Sequence, residues 1–87
     1  MWTVAFTKRA SKLERQMPRI QREMLARLIK DIELQGPVRG DWPNYSKLSD
    51  GSHHCHLSHR WVACWRETER GISVEVYYAG SRKEAPY

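Results

Sequence analysis

No stretch of this sequence approaches the run of ~18 apolar residues that a membrane-spanning helix requires. The opening MWTVAFTKRASK also lacks the apolar block of a secretion leader, so the expected compartment is the cytoplasm and no membrane partner is expected. Cysteine is scarce. Cys55 and Cys64 are too few for a disulfide framework and form no C-x-x-C pair, which leaves reduced thiols as the expectation. Phenylalanine occurs once, and no internal repeat, low-complexity segment or inter-domain linker breaks the chain. With 87 residues there is room for a single domain, 1–87, around one small core. A domain of this size buries only roughly 60 to 65% of the surface its unfolded chain exposes, so its stability margin is thin. The hydrophobic fraction of 40% beside 29% charged residues is that of a folded chain and excludes disorder.

Acidic charge is also in short supply: 10 Asp and Glu against 15 Lys and Arg give a net charge of +5. Polyanions are therefore plausible partners, although bulk charge identifies no fold. Residues 1–36 hold eight basic side chains against four acidic ones, a net of +4, while residues 37–87 hold seven against six. All four histidines, His53, His54, His56 and His59, lie in that nearly neutral second part. The basic helices and the titratable cluster are thus separate features.

Trp2, Val4 and Phe6 alternate with smaller residues, which predicts a short first strand. Thr7 is placed to cap a helix with Ala10, Leu13 and Met17 on one face. Pro18 ends that run and suits the first turn of a second helix, where its missing N–H has no intrahelical partner. Ile20, Met24, Leu25, Leu28, Ile29 and Ile32 then form one helical stripe up to the stop signal Gly36-Pro37. The segment VRGDWPN is a loop. After it the period changes, and Ser52–Leu57, Arg60–Glu67 and 72–79 read as a three-strand meander, with Ser58-His59 and Glu69-Arg70-Gly71 as turns. The expected fold class is α+β in the order β-α-α-β-β-β, a helical hairpin on one face of a mainly antiparallel sheet. The other face is expected to be open to a ligand.

On the first strand of the meander, His54 and His56 point to one face while His53, Cys55 and Leu57 point to the other. Cys55 and Leu57 suit a core, which leaves His54 and His56 for the open face. Two imidazoles side by side can divide acid and base work near neutral pH. The competing readings are a pair of solvated surface histidines, or an H-x-H metal site; no further ligand pair stands near enough to support the latter, so no metal or other cofactor is expected. The closing segment Ala79-Gly80-Ser81-Arg82-Lys83-Glu84-Ala85-Pro86-Tyr87 places a guanidinium, an ammonium, a carboxylate and a phenol together after a glycine expected to turn the chain. Arg82 suits bidentate capture of a phosphate, and Tyr87 suits proton exchange or orientation. A solvated tail is the alternative. Lys47, Arg60, Lys83 and the loop residue Trp42 are the expected nucleic-acid contacts, with Trp42 the ring most suited to base stacking if exposed.

The strings Trp42-Pro43-Asn44-Tyr45-Ser46-Lys47-Leu48, His54-Cys55-His56-Leu57, Val62-Ala63-Cys64-Trp65 and Tyr77-Tyr78-Ala79-Gly80 with Ala85-Pro86-Tyr87 resemble, in this order, RelE-like toxins of the HigB branch. The likeness is good over the second half and extends to the helices only by element order. It implies a microbial ribonuclease-like domain that cuts mRNA, typically on the ribosome, until a cognate antitoxin protein covers it. It also implies His54 as acid or base and Tyr87 as the closing tyrosine. The histidine of the family's closing G-T-H-x-x-A-P-Y is Arg82 here and its threonine is Ser81. Arginine can stabilise charge at that position but cannot act as a general base. Two other readings remain open: a ParE-like gyrase inhibitor on the same fold, and a non-catalytic nucleic-acid or antitoxin-binding module.

Overall fold

The computed structural model describes residues 1–68 and 73–87. The expected turn at Glu69-Arg70-Gly71, and Ile72 at the start of the last expected strand, lie outside the described residues. Thr3–Phe6 forms β1, and Thr7 caps the next helix as its sequence predicts: the Thr7 hydroxyl accepts the Ala10 N–H at 3.0 Å, opening α1 over Lys8–Glu14. Pro18 stands one position earlier than expected, as the N-cap of α2 (Arg19–Gln35) rather than inside its first turn. The helix stops at Gly36, whose φ of 96° only glycine adopts readily. A side chain there would also press on the Trp2 indole, 3.0 Å from the ideal Cβ position.

The sheet has five strands rather than the four expected. A two-residue β2 (Ser46–Lys47) precedes β3 (His53–Ser58), β4 (Trp61–Glu67) and β5 (Ser73–Ser81), in the order β1-β5-β4-β3-β2. β3, β4 and β5 form the expected antiparallel meander, turning at His59-Arg60 instead of Ser58-His59. β1 joins β5 in parallel, since two helices intervene between β1 and the meander. A bulge between Cys64 and Trp65 matters for what each face carries. Cys64 pairs with Tyr78 and Trp65 with Val76, so Tyr77 is the extra residue, and both tyrosines pack with Val62 and Cys64.

The main core joins Ala10, Met17 and the α2 residues Leu25, Leu28 and Ile32 to Cys55, Leu57, Ala63, Trp65, Val74, Val76 and Ala79. Trp65 is fully buried and its indole N–H donates to the Pro37 carbonyl at 2.9 Å. Ile20 departs from the expected stripe: it is 64% exposed, while Leu25, Leu28 and Ile32 carry the buried face of α2. The opposite sheet face is not open. Leu13, Tyr77 and Ala85 pack over Val62, Cys64 and Tyr78, all buried. Gly80 makes no turn; it lies within β5, where the Tyr78 hydroxyl comes within 3.0 Å of its ideal Cβ position, and the chain bends only at a 3-10 turn over Arg82–Glu84. Among the described residues, no helix is long and apolar enough to cross a membrane.

Candidate active site

β3 sends His54 and His56 to the second face, as the alternation predicts, but both are nearly closed off, at 8% and 9% exposure. The expectation of exposed imidazoles is corrected by two non-local elements. β2 pairs Ser46 with His54 and brings the Ser46 hydroxyl 2.9 Å from His54 Nδ1. From the carboxyl end, the Tyr87 ring settles over His54 at 4.4 Å between centroids, tilted by 52°. His56 meets His54 edge-on at 6.0 Å. The Asn44 side-chain amide donates to His56 Nδ1 at 3.2 Å, and the His56 backbone N–H donates to the Pro43 carbonyl at 2.8 Å. That amide bond requires a bare Nδ1, so the proton of a neutral His56 sits on Nε2. Asn44 makes this approach from the left-handed region, with φ 53°.

Burial holds the His54 pKa below the ordinary histidine value, and a hydrogen bond to the Ser46 backbone only partly opposes this. The His56 pKa is lowered by burial first, then by the positive charge of Arg82 and by His54 and His59. Both rings are therefore neutral bases at pH 7. Burial raises the Tyr87 phenol, which keeps its proton. The set thus contains an unprotonated acceptor, His54, beside a proton-bearing phenol, with an exposed guanidinium near enough to act on His56.

Arg82 belongs to a second feature at the same end of the sheet. A cavity of about 670 Å³ is lined by His59, Arg60, Trp61, Ser81, Arg82 and Lys83. The Arg82 N–H donates to the Arg60 carbonyl at 2.7 Å, which ties the carboxyl-terminal turn to the β3–β4 turn. Arg60 and Lys83 are exposed here, and Lys47 is exposed on β2 opposite His53. Trp42 is not part of either feature. Its indole N–H donates to Asp31 at 2.8 Å and its half-buried ring packs on the core, which anchors the 38–44 loop to α2.

His53 turns inward. It is fully buried and lies against the rings of Tyr45, at 5.9 Å, and Trp65, at 5.7 Å. Its Nε2–H donates to Glu67 at 3.2 Å and its Nδ1 faces the Tyr45 hydroxyl at 2.7 Å. Burial pushes the thiols of Cys55 and Cys64 up to about 12, which leaves both inert as nucleophiles. Among the described residues, no group of three or more His, Cys, Asp or Glu side chains is gathered for a metal. Asn44 and Ser46, which hold the two imidazoles, fall in the Trp42–Leu48 string but show no periodicity that marks them as site residues. One is a loop residue and the other sits on a strand too short to show a period.

No protein-family model matches the chain, and no curated protein matches it in sequence. Solved structures do match. The archaeal RelE in its complex with RelB from Pyrococcus horikoshii superposes with a TM-score of 0.78 at 12% identity, covering 97% of this chain and 98% of that one. The isolated RelE toxin of E. coli gives 0.76 at 16% identity over 99% and 89% of the two chains. YoeB from Staphylococcus aureus, solved as a dimer, gives 0.74 at 13% identity over 91% and 94%. At such identities the likeness establishes architecture, not chemistry. Two helices packed on a five-stranded mixed sheet match the fold of the RelE-like toxin structures.

Proposed function

We propose that this chain is the toxin of a toxin–antitoxin pair, of the HigB branch, and acts as an endoribonuclease on ribosome-bound mRNA. The observation that carries the proposal is the Tyr87 ring over His54, which joins the end of the chain to the H-C-H-L strand in one small site. His54 takes the proton of a ribose 2′-hydroxyl as its oxygen attacks the adjacent phosphorus. Arg82 holds the phosphate and stabilises its extra negative charge, and the Tyr87 phenol delivers a proton towards the departing 5′-oxygen. A ribosome that presents the message in a fixed pose would supply much of the positioning that a site this sparse lacks. The antitoxin partner is supported by neighbours solved with one, RelE with RelB and YoeB with YefM.

The test is purified protein added to translating ribosomes, with message ends mapped by primer extension. New 5′ ends at discrete positions, absent with His54→Gln, are the expected result. An intact message beside arrested gyrase supercoiling would overturn it in favour of a gyrase inhibitor. A second reading has one observation in its favour: His54 is only 8% exposed, covered by the Tyr87 ring and Ser46. If no message is cut while ribosomes still bind the protein, the chain is a binding module.

A further inference from the structure

Beyond the histidine site, the groove at the β3–β4 turn combines an aromatic side chain with three cations and is not needed for the proton transfers. We propose that this groove is a nucleotide subsite of single-stranded RNA, in which the base stacks on Trp61 and the phosphate lies between Arg60, Arg82 and Lys83. The proposal rests on the ribonuclease reading and names where the strand goes next to the scissile phosphate.

The chemistry of the lining is one-sided. His59, Arg60, Arg82 and Lys83 supply three permanent positive charges and an imidazole, and no carboxylate lines the groove. The acid of the same segment, Glu84, lines a different and smaller cavity, which Trp61 and Ser81 also border. A volume of about 670 Å³ falls within the range of small-ligand sites. Trp61 is half-buried and held firmly. It pairs with Ser58 on β3 and with Ser81 on β5, and it packs on the main core. A ring already packed in part on the core loses little freedom when a base stacks on it, and stacking tolerates every base because each has a π-face.

The placement fits a continuous strand. His56, Val62 and Gly80 form one row across β3, β4 and β5, and Ser58, Trp61 and Ser81 form the neighbouring row at the end of the sheet. On β4 and β5 the two rows are adjacent residues, roughly 3.3 Å apart along the strand with side chains on opposite faces, while on β3 a bulge between His56 and Ser58 widens the step. RNA lying over His54 and His56 therefore meets Arg82 at the sheet end and rounds it into the groove. Arg82 is shared by both sites. An acidic peptide would satisfy the cations but makes no general use of a flat indole.

The experiment measures anisotropy of a fluorescein-labelled 2′-O-methyl RNA hexanucleotide, which has no 2′-hydroxyl and cannot be cut. A matched oligonucleotide with one abasic position is compared with it, and cleavage on ribosomes is assayed in parallel. Trp61→Leu should weaken binding of the intact oligonucleotide roughly 5- to 100-fold, and Trp61→Phe should restore most of that loss. The abasic oligonucleotide should bind the parent protein more weakly and respond little to Trp61→Leu. Arg60→Gln should reduce the slope of log affinity against log salt by about 0.7. Equal binding of intact and abasic RNA by the parent protein overturns the subsite without any variant. So does tight, Trp61-dependent binding of an acidic peptide that RNA fails to displace. A parent protein that cuts message but shows no Trp61 dependence sinks the subsite and leaves the nuclease reading standing. One that binds through Trp61 but cuts nothing supports the subsite and sinks the nuclease.

Discussion

His54 and Arg82 divide the proposed work in a way that substitutions can separate. His54→Gln keeps a polar side chain of similar reach and removes the titrating group, so cleavage on ribosomes should fall ~10²- to 10⁴-fold while ribosome binding persists. Arg82→Lys keeps the charge and loses the two-pronged fork, so activity should drop at unchanged net charge. If both variants cut at the parental rate, the catalytic assignment is wrong. The pairing of His54 and His56 on one face was legible from alternation alone, and so was the inward turn of His53. Their burial was not, because Ser46, Asn44 and Tyr87 reach them from elements that local pattern cannot place. Trp42 shows the same limit from the other side: a tryptophan in a loop beside a proline suits either an exposed ring or a loop anchor, and only Asp31, on α2, which accepts its N–H, shows that it anchors the loop.

Among the elements, α2 makes the sharpest contrast between pattern and packing. Ile20 and Leu28 belong to one helical stripe, yet Leu28 is fully buried and Ile20 is 64% exposed. Leu28→Asp should unfold the domain, since a buried unpaired carboxylate costs several kcal/mol, comparable with the whole stability of so small a protein. Ile20→Asp should melt within a few degrees of the parent. Circular-dichroism melts of the two variants check this, and equal melting would mean that the helix presents a different face to the sheet. α1 offers a smaller test: Thr7→Ala removes the oxygen that accepts the Ala10 N–H and should cost ~1 kcal/mol, read from denaturant unfolding. Helix positions, caps and the meander were legible because each depends on local period and local turn chemistry. β2 was not, since two residues carry no period and pair only because β3 lies beside them.

For the whole molecule, the buried imidazoles make stability depend on pH in a defined direction. His54 and His56 have native pKa values below the ordinary 6.5, so above that value both the folded and unfolded chains hold them neutral. As pH falls below 6.5 the unfolded chain takes up protons before the folded one does, and stability is lost until the native values are passed. The melting temperature should therefore fall between pH 7.5 and 5.5, and fall less in a His54→Gln, His56→Gln double variant. An unchanged slope in that variant would place the titrating groups elsewhere. The sequence by itself determined the α+β class, the helical hairpin, the meander and the division of β3 between two faces, because periodicity, capping and turn preferences act between near neighbours. Only the tertiary structure decided that β1 pairs in parallel with β5, that a bulge puts Tyr77 and Tyr78 on one face, and that Tyr87 closes over His54. Those outcomes follow from contacts between distant segments competing for the same buried surface, and no local pattern encodes which segment wins.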